Sequence, residues 1–268
     1  MPLPFAPRKK IPFVPLLGIP LLVYLGWLAE IFFLEGSLSL FLSPEPLPLL
    51  LYTLAGCIMT GIFFPLLILR RSFLSGAVNM FQIGFRSKKR TAAILGAGLV
   101  FLVIPVVLLL PPGPARPAFL SYFLLYLPTG VAAIMVCWVL LGTHIQALVR
   151  HGGVVLSIMT GMVTTAVLFA VSSVVHTPVP GIHDPVPAAL VLGVVTAFVF
   201  FAARDVYVAV LAVTSGMSFL SVGTTATVVP AGTGLPVILA AIITLAALCG
   251  AHWYLFHTYI TVEMKPGL

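Results

Sequence analysis

The sequence predicts an all-α integral membrane protein, a single bundle of about eight transmembrane helices over residues 1–268. Three observations carry that expectation. Of the 268 residues, 61% are hydrophobic and only 7% are charged, against roughly 25% charged in a soluble domain. The mean hydropathy is +1.21. The few charges gather in short clusters between apolar runs of spanning length.

Eight runs approach the 20 or so mostly apolar residues that a spanning helix needs: 11–34, 48–69, 92–112, 119–142, 153–175, 187–203, 206–229 and 235–257. Arg8, Lys9 and Lys10 precede the first, which is too long for a signal-peptide core and has no small-residue cleavage site, so it reads as a retained span. The sixth is short and is parted from the seventh only by Arg204 and Asp205. A seven-span chain is the alternative. Pro44, Pro46 and Pro48, then Pro111, Pro112, Pro114 and Pro117, then Pro178, Pro180, Pro185 and Pro187 punctuate the loops. Pro65, Pro105 and Pro128 fall within spans, where they should kink the helix.

With eight spans, 12 of the 13 basic residues lie on one side and only Arg116 on the other. The positive-inside rule then places both termini in the cytoplasm of a multi-pass cell-membrane protein. The net charge of +7 is therefore a topology signal, and nucleic acid is not an expected partner. Between the second and third spans, Phe73, Leu74, Ala77, Val78, Phe81 and Phe85 share one helical face. Ser72, Ser75, Asn79, Gln82 and Arg86 share the other. This predicts an interfacial amphipathic helix over about 72–86. Arg86, Lys88, Lys89 and Arg90 suit anionic lipid headgroups there, and an elbow between two spans is the plainer reading.

Chemistry-bearing residues are sparse. Cys57, Cys137 and Cys249 lie in apolar runs without metal or disulfide spacing, and no cofactor motif is present. Of the six acids, Glu35, Glu45, Asp184 and Glu263 fall in loops or tails, Glu30 near the outer end of the first span, and Asp205 at a turn. No mid-membrane carboxylate is expected, which argues against a proton- or sodium-coupled carrier. His176, His183 and Asp184 form a candidate metal set around the Pro-rich fifth loop. His144, Arg150, Arg204 and Asp205 are the candidate catalytic groups. His252 and His257, with Trp253 and Tyr254, read as an interfacial belt. The seventh span is rich in small and hydroxyl residues. Thr214, Ser215 and Ser218 there, with Phe169 and Ser173 of the fifth span, are candidates to line a polar cavity, and tight helix packing is the alternative. Gly216-Met217-Ser218 has no membrane-embedded histidine to make it a protease motif.

Three stretches resemble the CPBP intramembrane proteases, the CAAX-processing and bacteriocin-processing family. They are Gly142 to Arg150, Leu168 to Ser173, and the segment from Arg204 through Ser215 to Phe219. The resemblance implies eight spans and a cytoplasmic N-terminus. It also implies a glutamate general base after the fourth span and histidines steadying a tetrahedral intermediate. Here the first stretch has no acid, Ser173 stands where the family has histidine after Phe169, and Ser215 and Phe219 replace its His-x-x-x-Asn. The relative so implied is non-catalytic.

The resulting expectation is a membrane protein, leaning to non-enzymatic, that binds or scaffolds a hydrophobic partner, either lipid or another membrane protein. The alternatives are a transporter or channel for a small neutral or hydrophobic solute and an intramembrane hydrolase with an atypical site. The topology is directly testable. A single cysteine placed at Lys88 in an otherwise cysteine-free chain should react with an impermeant maleimide only from the cytoplasmic side.

Overall fold

Twenty consecutive apolar side chains leave a backbone no water to bond, so each spanning run closes its hydrogen bonds within itself as a helix. The structure is a computed structural model and describes residues 14–35, 39–42, 44–78, 80–175, 184–224 and 234–263. Among them are eight helices long and apolar enough to cross a membrane. These are α1 (Leu16–Glu35), α2 (Pro46–Leu74), α3 (Lys89–Leu109), α4 (Ala115–Gly152), α5 (Val154–Val175), α6 (Pro185–Ala203), α7 (Val206–Thr224) and α8 (Leu235–His257). The chain is a polytopic membrane protein, and the eight spans among the described residues make an even number of crossings. The ends of α1 and α8 nearest the termini therefore share a side with the 75–88 and 204–205 connections, here called the basic face.

Span α4 is the axis. Every residue from Leu125 to Ala147 is buried, with α1, α2, α5, α7 and α8 packed around it. Span α6 lies between α5 and α7, and α3 lies outside, against α7. Close approach is bought by missing side chains. A Cβ on Gly61 of α2 would fall within 2.4 Å of the Ala132 Cβ, and one on Gly130 within 2.4 Å of the Thr214 Oγ1 on α7. Helices gain nothing from hydrophobicity inside lipid, so these contacts hold the bundle through dispersion. Two stretches, Tyr52–Phe63 of α2 and Ile134–Gly142 of α4, are wound as wide-pitched π-helix. Pro65 lies one residue into the α-helical turn after the first of them.

The interfacial helix expected over 72–86 does not form as one helix. Span α2 ends at Leu74 and the chain turns at Gly76 with φ +72°. One helical turn, Met80–Ile83, follows, and the chain turns again at Gly84 with φ +89°. Only glycine adopts such angles without strain. Ala77, Val78, Ile83 and Phe85 are buried in the protein, and the Gly84 carbonyl accepts from Val206 N at the start of α7, at 3.1 Å. The apolar face thus covers the base of the bundle and not a lipid surface. Asn79 lies outside the described residues. The segment is an elbow tucked beneath the α6–α7 turn.

Overpacking a filled contact typically costs about 1–3 kcal/mol. Gly61→Ala should destabilise the protein by that amount in thermal unfolding in detergent. Gly250→Ala, where the added Cβ meets nothing within 4 Å, should cost nothing.

Candidate functional site

The two-residue turn between α6 and α7 organises the basic face. Arg204 adopts a left-handed conformation, φ 52°, which ends α6, and its N–H donates to the Phe200 carbonyl at 2.7 Å. Asp205 then caps α7. Its Oδ1 accepts from Tyr207 N at 3.0 Å and Val208 N at 3.3 Å, and its Oδ2 accepts from the Thr91 hydroxyl at 3.0 Å. Capping carboxylates satisfy N–H groups that the helix cannot bond and complement its dipole. Asp205 is 0% exposed, and the bonds to Tyr207, Val208 and Thr91 stand in for water around its charge.

Arg204 is only 8% exposed. Its Nη1 donates to Gln146 Oε1 on α4 at 2.9 Å, and its guanidinium lies 4.9 Å from the Phe201 ring centroid. Arg86 Nε donates to the Arg204 carbonyl at 3.0 Å. Burial and then the Arg86 charge push the Arg204 guanidinium down to about 10, so it remains a cation at neutral pH. Burial and the neighbouring Arg90 lower Arg86 as well, against the opposing effect of Asp205.

Span α8 packs mainly on α2 and α4 and diverges from α7, and α3 stands across the gap. The result is a cleft of about 430 Å³. Ala92 and Leu95 of α3 and Trp253 and Phe256 of α8 form its apolar walls, and Arg86, Thr91, Tyr207 and His252 its polar side. His252 fixes that side. Its Nε2 lies 2.9 Å from the Arg86 carbonyl, which can only accept, so Nε2 carries the proton. Nδ1 therefore accepts from the Tyr207 hydroxyl at 3.0 Å. The ring stacks on Phe85, centroids 4.9 Å apart. His252 is thus a structural link among the elbow, α7 and α8 as well as a belt residue.

The other sequence candidates fall elsewhere. His144 is buried. Its Nδ1 donates to the Leu140 carbonyl at 2.7 Å and its Nε2 accepts from the Ser72 hydroxyl at 2.8 Å, tying α4 to the end of α2. Arg150 is partly exposed at the end of α4. Ser173, Ser215 and Ser218 donate to the Ala170, Leu211 and Thr214 carbonyls of their own helices. Phe169 packs on Trp138, centroids 5.1 Å apart, and Thr214 on Gly130. None of the five lines this cleft. Asp184 caps α6, accepting from Val186 N at 3.2 Å. His176 and His183 lie outside the described residues.

Of the acids, Asp205 lies at the α6–α7 turn and Glu30 within α1, as expected, and Glu30 accepts from the Thr60 hydroxyl of α2. Glu35, expected in a loop, is instead 7% exposed at the end of α1. No protein-family model, curated protein or solved structure matches the chain.

Removing Asp205 should destabilise the turn. A hydrogen bond to a charged group is worth about 1.5–3 kcal/mol. Asp205→Ala should therefore cost about 2–3 kcal/mol in equilibrium unfolding in micelles. In a double-mutant cycle with Thr91→Val, the coupling should be about 1 kcal/mol or more.

Proposed function

We propose that this protein binds an anionic amphipathic lipid in the cleft between α3, α7 and α8, and acts as a non-catalytic lipid-binding or scaffolding component of the cell membrane. The observation that carries this reading is the pairing of an apolar, laterally placed cleft with a partly buried arginine. Clefts of roughly 300–1,000 Å³ with mostly apolar walls and a few placed polar groups are the usual form of small-molecule sites. Arg86, Thr91, Tyr207 and His252 supply the polar groups on one side of this one.

The electrostatics favour an anion. Arg86 is made less basic by burial and by Arg90, and Arg204 by burial and by Arg86. A phosphate near Arg86 relieves that repulsion, and arginine matches phosphate geometry through its planar fork. Lys89 and Arg90 are exposed on the first turn of α3, where they add attraction to a negatively charged leaflet. In this reading the basic face is cytoplasmic, in keeping with the positive-inside bias. The same reading accommodates kinship with CPBP proteins, since Ser173, Ser215 and Phe219 cannot do the work of the family's catalytic groups.

Native mass spectrometry of the purified chain should show retention of phosphatidylglycerol over phosphatidylcholine. Arg86→Ala should weaken that retention about fivefold or more, within the range for losing one charged partner. Leu95→Trp, which fills the cleft, should abolish the preference, and Arg116→Ala on the opposite face should leave it intact. Equal retention of the two lipids by the unmodified protein would sink the proposal.

A further inference from the structure

A second cleft lies on the other side of the molecule, between α1 and α2, with a volume of about 320 Å³. Ile19, Leu22, Val23 and Gly26 of α1 make its apolar wall, and Phe64 of α2 adds an aromatic ring. Glu30 is the one charged residue that lines it. Its hydrogen-bond donor, Thr60, is the middle residue of the 29-residue span Pro46–Leu74. The carboxyl is therefore held beside the middle of α2, within the apolar length of both spans. Leu22, Leu25 and Phe33 beside it on α1 are exposed on the outer surface of the bundle, which in a membrane is the lipid-facing surface.

We propose that this cleft is a binding site for a lipophilic organic cation, with Glu30 as its counter-ion and Phe64 as its aromatic contact. Three arguments meet here. A carboxylate among apolar walls gains most from a partner that brings a positive charge and an apolar body together. An aromatic ring in the same cleft attracts cations through its quadrupole, and most strongly where water is excluded. Third, among the described residues no Lys, Arg or His lines the cleft to take up the acid. An ionisable group at this depth marks a ligand or ion site by default.

The local backbone is built to hold the acid in place. Thr60 lies in the π-wound stretch Tyr52–Phe63, and the wide turn brings its hydroxyl within 3.3 Å of the Ala55 carbonyl five residues earlier. The Thr60 hydroxyl thus sits between the Glu30 carboxyl and the Ala55 carbonyl. Such π-wound turns inside membrane or soluble helices are rare and frequently mark functional positions. Glu35, five residues along α1, is buried against the protein and lines neither this cleft nor the one between α3, α7 and α8. The site is independent of the lipid cleft, which is built from α3, α7 and α8.

The test uses tetraphenylphosphonium, a permanently charged lipophilic cation, and the full chain in nanodiscs of zwitterionic lipid. Saturable binding is expected, and Glu30→Gln should weaken it at least about tenfold, as for removal of a charged partner in an apolar site. Thr60→Val should weaken it less, and Thr60→Ser should restore it. Glu45→Gln, outside the cleft, should change nothing. Triphenylphosphine oxide, neutral and similar in shape, should bind without dependence on Glu30. Gly26→Leu fills the cleft from a position where an added Cβ meets nothing within 4 Å. It should block binding while leaving the carboxyl in place, which guards against a folding defect in the Glu30 variant. Equal binding by Glu30→Gln or by Gly26→Leu, or the same dependence on Glu30 for the neutral compound, overturns the proposal.

Discussion

The close approach of α2 and α7 to α4 fixes where everything else lies. Lipid tails are as apolar as leucine, so a membrane bundle cannot be held by hydrophobicity and must rely on contact at short range. Gly61 against Ala132 and Gly130 against Thr214 supply that contact at two points on the same central helix. With α2 and α7 seated there, α8 packs on α2 and α4 and is drawn away from α7. The resulting gap is the cleft that α3 faces. The hydroxyl-rich character of α7 serves the same end. Ser215 and Ser218 bond to their own helix, Ser221 bonds across to Tyr126 of α4, and the narrow surface fits against the glycine of α4.

On the basic face, polar side chains replace that narrow packing. A buried guanidinium is costly unless its donors are met, and here Gln146 and the Phe201 ring receive it. Arg86 in turn supports the Arg204 carbonyl, and His252 supports the Arg86 carbonyl. Elbow, turn and last span are thereby joined into one hydrogen-bonded unit. Arg86 therefore has two roles, bracing the turn through Nε and presenting positive charge to the cleft.

Span placement was legible because it depends on run length and apolarity, which a single sequence records. The Arg204–Asp205 boundary could be read, though not its left-handed geometry or the three bonds to Asp205. Of the two readings of 72–86, the elbow fits and the single interfacial helix does not. The helical spacing of Phe73, Ala77 and Phe85 is real, but Gly76 and Gly84 break it and the apolar side chains find protein to cover. The partners of Glu30, Thr91 and His252 were illegible for a common reason. Each lies on a different span, 30, 114 and 45 residues away for the Thr60, Asp205 and Tyr207 contacts respectively. Nothing in the spacing of a single chain records which spans become neighbours.

The order of partners along the chain also bears on biosynthesis. Gln146, Thr91 and Arg86, which receive the α6–α7 turn, all precede it in the sequence. A nascent chain made from its N-terminus thus already holds these three partners when the turn arrives, and Tyr207 and Val208, whose N–H groups bond Asp205, follow directly after it. The wall contributed by Trp253 and Phe256 is the reverse case, because it comes with α8, well after the turn. Until α8 is in place, the polar edge formed by Arg86 and Tyr207 has no wall on that side of the cleft.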